Sequence, residues 1–451
     1  MVTTPLTPVL APVYLETAPS DTFRRILAAL QDLAGDLATW LDPIPVAAAA
    51  ASPADAIVVP DFSGKVYGEL AEFQALAGRP ILLTTSEHGT VFMWDWEGRD
   101  WLRRRGVDTL APNNLEEFHD LLRALAVKRT LPQATMLAYW DDLGAGMQPD
   151  IFKRFFWWED ECSTLLRERL GVTVVKRSFR ELVRRAGAIG HQRVEDELAR
   201  VEASGLPVAG ALARQARVDA LRLKLALADE LDEAPGQVIA AGINCLNESA
   251  TAVTTPCLAW NQLFEERGLI WGCESDLTSM ITEYLVHRCL DVPVMMSNLY
   301  PFVSGQAALD HERIPYFPAV TGNPDNYILA AHCGFFGLVP RPMASRWELR
   351  PPVLAIVDRN ANAIDADMAT GDITLVKIAS TMDALAVTPA QLVRFEQYAN
   401  SDCLNGGVLR VPDGPAFVEH LPSHHYVIAG GALSRRLDLA ARVLDLGTYT
   451  I

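Results

Sequence analysis

The sequence predicts an α/β protein: two N-terminal Rossmann-like α/β domains with parallel sheets, followed by a β-rich C-terminal domain built as a small antiparallel barrel. Three observations predict it. Apolar runs of strand length alternate with helical stretches through about Leu290. A break at Leu131-Pro132-Gln133 separates two such series. Beyond Leu290, Pro and Gly become frequent and short β-like runs replace the helical periodicity. The expected domains are residues 1–133, 134–291 and 292–451; 451 residues are too many for one ordinary core.

In the first domain Val9 to Leu15 reads as a strand and Asp21 to Leu41 as an amphipathic helix. Ala56 to Pro60 is a buried strand, Val66 to Ala77 a helix, and Pro80 to Thr84 a further strand. Leu115 to Leu131 is the closing helix, with Asn114 as its cap. In the second domain Ala134 to Tyr139 is a strand, Ile151 to Asp232 is helix-rich, and strands return at Gln237 to Cys245 and Leu269 to Gly272. The aromatic run Phe155-Phe156-Trp157-Trp158 reads as helix packing between domains, with a sugar-stacking platform as the alternative. In the third domain β runs fall at Tyr327 to Ala331, Val353 to Val357, Ile373 to Ile378, Gly407 to Val411 and Tyr426 to Ala429. Leu433 to Leu446 reads as a closing helix.

The net charge of −17 argues against nucleic acid or an anionic membrane as a partner. Seven cysteines without a C-x-x-C pair point to buried thiols in a reducing cytoplasm. Cys273 and Cys333 read as small apolar residues beside a site rather than as thiolates. No signal-peptide pattern and no apolar run of spanning length is present, so a cytoplasmic location is expected. Walker, Rossmann-fingerprint, nucleophile-elbow and H-E-x-x-H motifs are all missing.

Chemistry concentrates at strand ends. Gly272-Cys273-Glu274-Ser275-Asp276 follows an apolar run and opens a helical segment from Leu277 to Cys289. Ligands of open α/β sheets bind at such carboxyl ends. Ser275 and Asp276 look like helix caps, which leaves Glu274 free to face a cleft. Ala331-His332-Cys333-Gly334 and Ser423-His424-His425-Tyr426 offer partners, and a carboxylate with imidazoles suits a divalent cation.

These segments, in this order, resemble the L-fucose isomerase and L-arabinose isomerase superfamily, whose members carry a Cys-Glu-x-Asp or Ala-Glu-Gly-Asp segment in mid-chain and a His-His pair near the C-terminus. Cys245-Leu246-Asn247-Glu248 resembles the strand end before the family's metal-binding Glu, and Pro256-Cys257-Leu258-Ala259 the helix start after it. Gly371-Asp372-Ile373-Thr374-Leu375 resembles a C-terminal Gly-x-Val-Thr-Leu strand. The ordered motifs cover roughly residues 235 to 451.

The resemblance implies a metal-dependent aldose–ketose isomerase acting through an enediol on a pentose, a deoxyhexose or an acid-substituted sugar. Glu274 matches the first metal-binding Glu. Asn298 stands where the fucose isomerase pattern has an Asp; its carbonyl oxygen is a metal donor, but the amide is no general base. His332 matches a metal-binding His of the arabinose branch, and one of His424 and His425 is the C-terminal ligand. Glu248 is a proton shuttle, a sugar-hydroxyl partner or a helix cap; Asp310 and Glu312 are nearby acids. Trp260 and Tyr300 line the pocket or pack the core. The implied cofactor is Mn²⁺ or another divalent cation, and the implied assembly a homo-oligomer, trimer or hexamer. The alternative is a non-catalytic sugar-binding or regulatory relative that lost the second carboxylate.

Overall fold

The computed structural model describes residues 5–62, 64–141, 155–234, 236–245, 252–353, 361–401 and 403–451. The first sheet is parallel. It contains β1 (Val9–Tyr14), β2 (Thr39–Trp40), β3 (Ile44–Pro45), β4 (Ala56–Val59) and β5 (Ile81–Leu83), in the order β2-β1-β4-β5 with β3 also on β1. The second is also parallel: β6 (Ala134–Tyr139), β7 (Thr173–Arg177), β8 (Gln237–Ile243) and β9 (Ile270–Cys273), in the order β7-β6-β8-β9. Two of the interior strands, β4 and β8, are buried along their whole length, as parallel strands covered by helices are.

The third sheet closes on itself. It uses β10 (Val294–Pro301), β11 (Tyr327–Ala331), β14 (Gly371–Ile378), β15 (Ala384–Glu396), β16 (Gly406–Arg410) and β17 (His425–Gly430). These pair antiparallel in the order β14-β17-β10-β11-β16-β15, and β15 returns to β14. A separate ribbon joins β12 (Ala344–Arg350) to β13 (Ala363–Met368), and β18 (Gly447–Tyr449) runs parallel to β15. The fold is thus two Rossmann-like parallel sheets plus a small antiparallel barrel, as the sequence predicts.

Helix Leu277–Leu290 joins the second sheet to the barrel. Only two of its fourteen residues, His287 and Arg288, escape full burial, because it packs against β8 and β9 on one side and β10, β14 and β17 on the other. Helix Leu115–Thr130, capped by Asn114 as expected, packs on it and on helix Ser434–Val443. One continuous core therefore runs from the second sheet through the barrel. Among the described residues no helix is long and apolar enough to cross a membrane.

Several elements differ from expectation. The first helix ends at Ala34, where Gly35 takes a left-handed φ of 50°, and residues up to Trp40 become a 3-10 turn and β2. The stretch from Val66 to Ala77 breaks into a 3-10 turn and the short helix Leu70–Gln74 at Gly68-Glu69. β15, thirteen residues long, escapes the pattern because Pro389 interrupts it; a proline in a run argues against a strand. The β run expected at Val353 to Val357 falls mostly outside the described residues.

Candidate metal centre

Glu274 sits one residue beyond β9, at the carboxyl edge of the second sheet. The chain reverses there through two consecutive left-handed residues, Glu274 at φ 57° and Ser275 at φ 53°. Such residues are strained without glycine and gather at functional sites. Two glycines make room for the turn. A Cβ on Gly242 would lie 2.8 Å from Ser275 Cα, and one on Gly272 would lie 2.4 Å from Met280 Sδ. Asp276 then caps helix Leu277–Leu290, accepting from Ser279 N at 2.9 Å. Ser275, expected to cap as well, does not: its buried hydroxyl finds no partner among the described residues.

His332 arrives from the barrel on a turn of similar kind. Cys333 at φ 53° and Gly334 at φ 88° form a two-residue reversal closed by His332 N donating to Phe335 O at 2.5 Å and Phe335 N donating to His332 O at 3.1 Å. His425 opens β17, directly opposite Asn298 of β10, and Asn298 in turn pairs with Ala331, the residue before His332. Strand register therefore gathers residues more than a hundred positions apart in sequence.

His332 Nε2 lies 3.8 Å from Glu274 Oε1, and His425 Nε2 lies 3.9 Å from Glu274 Oε2. One ligand atom from each of Glu274, His332 and His425 lies within 4.8 Å of the others, and all three residues are buried. Cis ligands on an ion with ~2.1 Å bonds sit about 3–3.5 Å apart, so small side-chain rotations would bring these donors to bonding distance. Glu274 Oε2, His332 Nε2, His425 Nε2 and Asn298 Oδ1 are buried with no hydrogen-bond partner among the described residues. Buried polar atoms are normally satisfied. Four orphans in one place fit a cation that is held by these residues.

The surroundings fix the donors in usable forms. His425 Nδ1 lies 2.9 Å from Asp276 Oδ2, and a carboxylate only accepts, so Nδ1 carries the proton and Nε2 presents its lone pair. A carboxylate placed this way orients a histidine for binding a metal. Asp276 also accepts from Lys377 Nζ at 2.9 Å, Thr278 Oγ1 at 2.6 Å and Ser279 Oγ at 2.7 Å. Burial would push its carboxyl up, but Lys377 and the His425 hydrogen bond outweigh it and hold Asp276 well below the usual carboxylate range. Burial lowers both His332 and His425 to about 4, so both rings are neutral near pH 7. Burial, aided by Cys245 and Asp276, drives Glu274 well above the ordinary carboxyl range, the state of an acid that lacks a counter-charge.

An aromatic wall closes the centre. Trp157 stacks on His425 at 4.9 Å between ring centroids, and Trp158 Nε1 donates to Glu274 O at 2.7 Å. Phe155 lies 5.5 Å from His424. The run expected to pack between domains thus lines the site. Cys273 shares a thiol–thiol hydrogen bond with Cys245, which with burial raises it well above the normal thiol range, so it is no thiolate ligand.

A pocket of about 330 Å³ opens onto the centre; its lining includes Glu274, Asn298, Tyr300, His311 and His424. The structure brings Glu274, His332 and His425 together, with Asn298 facing the same pocket. His424 is not one of the three clustered donors and lines the pocket instead. Glu248 lies outside the described residues. Asp310 is exposed and accepts from Gln306, and Trp260 is fully buried in the core away from the pocket lining. The sequence reading missed Lys377, which looks like an ordinary residue of an apolar strand, and the orienting role of Asp276.

No protein-family model matches the chain, and no curated protein matches it significantly.

Proposed function

We propose that this chain is a metal-dependent aldose–ketose isomerase. The observation that carries the reading is the convergence of Glu274, His332 and His425 atoms that have no hydrogen-bond partner among the described residues, beside a pocket lined by Glu274 and Asn298. Mn²⁺ or another divalent cation bound there supplies Lewis acidity to adjacent carbonyl and hydroxyl oxygens. Glu274, His332 and His425 hold it, and Asp276 fixes the tautomer of His425. The Asn298 amide orients the hydroxyl-bearing end of the substrate. In this proposal a proton passes between C1 and C2 by way of Glu274, with Glu248 as a second carrier. Trp157 and Trp158 exclude water from the buried side.

The test is a panel of aldoses with added Mn²⁺, assayed for ketose, with metal content measured on protein purified without chelator. Ketose formation that is lost in Glu274→Ala supports the reading. A metal-loaded protein that turns over no aldose overturns it.

Asn298 favours a second reading, a non-catalytic sugar-binding relative. Glu274 is the one carboxylate among the described residues lining the pocket. Binding of sugars without turnover would select this alternative. The expected homo-oligomer belongs to the same proposal. Exposed Phe92, Met93, Trp94 and Trp96 form an apolar patch of the kind that mediates association, and light scattering tests it.

A further inference from the structure

The walls of the pocket do not match a fully hydroxylated chain. A polyol bound there needs a hydrogen-bond partner for each buried hydroxyl, and an unmet one is costly. Yet beyond Glu274, Asn298, Ser304, His311 and His424 the pocket is lined by Phe155, Leu299, Tyr300, Pro301, Ala307 and Ala308. Glu274 and Asn298 stand beside the cation donors, and apolar side chains make up most of the rest of the wall. Charge points the same way. A divalent cation would face one anionic donor, Glu274. The charge of Asp276 is already met by Lys377 at 2.9 Å. The Glu283 carboxyl, fully buried with neither oxygen hydrogen-bonded among the described residues, is held well above the ordinary carboxyl range by burial. One unit of positive charge would remain buried, and a ligand bearing an anionic oxygen would balance it.

We propose that the pocket takes an amphipathic O,O-chelating anion, of the 2-hydroxycarboxylate class, with its oxygens confined to one end and an aryl or alkyl body lying against Phe155, Tyr300, Pro301 and Ala308. The inference rests on the reading that Glu274, His332 and His425 hold a cation. It narrows the ligand from neutral polyhydroxy sugars to anionic, partly deoxygenated ones.

The experiment is calorimetric titration of Mn²⁺-loaded full-length protein with 3-phenyllactate, lactate, ribonate and 3-phenyllactamide. The first three share one head group, so they read the body; the amide reads the charge. Burial of a phenyl ring predicts 3-phenyllactate tighter than lactate and ribonate by roughly tenfold to a hundredfold. The acid is expected to bind at least about tenfold tighter than the amide. Phe155→Ala should shrink the ratio of 3-phenyllactate to lactate affinity, and Ala307→Glu, on an exposed helix position, should shrink it without disturbing the aromatic wall. Asn298→Asp should weaken every acid by supplying the missing negative charge. Ribonate binding as tightly as 3-phenyllactate, or an amide matching its acid, overturns the inference and leaves the isomerase proposal standing. Tight 3-phenyllactate binding with no ketose from any aldose sustains the inference and removes the isomerase proposal. A protein that takes up no cation at all overturns both.

Discussion

Asp276 and His425 meet across 149 residues of chain, with Oδ2 2.9 Å from Nδ1. The contact ties a helix cap of the second sheet to the first residue of a barrel strand. Asp276→Asn keeps the shape but places an amide N–H group beside Lys377 or His425, so the histidine loses its fixed orientation. Such changes typically lower metal affinity about 10–100-fold. Competition with a chromophoric chelator measures it; unchanged affinity would remove Asp276 from the design of the centre.

Lys377→Met tests the other side of the same carboxylate. Lys377 is 1 % exposed and Asp276 fully buried, so the variant strands a charge. Breaking a buried pair from one side costs about 3–5 kcal/mol. Urea denaturation should show that loss, and Lys377→Met with Asp276→Asn together should recover much of it.

Cation removal should be legible in thermal stability. A ligand at a hundred times its Kd adds about 2.7 kcal/mol. Mn²⁺ should therefore raise the Tm of the chelator-treated protein. Glu274→Gln should abolish that rise while making the cation-free protein more stable, since it removes a buried ionisable group whose Oε2 has no hydrogen-bond partner among the described residues.

Glu283 predicts a pH dependence that involves none of the cation donors. Burial, reinforced by Asp276 and opposed by Lys377, raises its carboxyl well above the ordinary value of 4.5. In the unfolded chain the group ionises near 4.5, while in the folded chain it ionises only well above that. Its contribution to stability is therefore complete below about pH 4.5 and shrinks as pH rises toward the folded value. The slope approaches about 1.4 kcal/mol per pH unit. Glu283→Gln should flatten the stability–pH curve above about pH 4.5; an identical curve for the two proteins would refute the assignment.

Ser275→Gly should stabilise the protein by about 1 kcal/mol, because glycine accepts the left-handed φ of 53° without strain and no buried hydroxyl is left unmet. Chemical denaturation midpoints check it, with Mn²⁺ affinity expected to hold.

The layers of this fold are visible in sequence because each rests on local pattern. β4, β8 and β11 are continuous apolar runs, and Asn114 and Asp276 cap as their residue types suggest. Glu274, His332 and His425 stand out because each is a polar residue at the edge of such a run. What stayed hidden depends on register. Nothing local indicates that Asn298 faces His425 across β10 and β17, or that Lys377 turns inward from β14 to reach Asp276. Trp157 and Trp158 looked like packing because stacking on a histidine and packing on a helix demand the same residue type.

Closure of the barrel also sets an order of assembly. β17, which carries His425, pairs with β10 and β14, both made earlier. While the chain is being synthesised, at roughly 5–20 residues per second, Glu274 and His332 are exposed well before their last partner exists. Long-range pairings of this kind form late in folding. A half-made chain therefore has two of the three donors and no enclosure, and a cation reaching it meets a weak, open site. If a cation is held there, firm capture waits for the strand that completes the ring, and occupancy would mark a finished molecule.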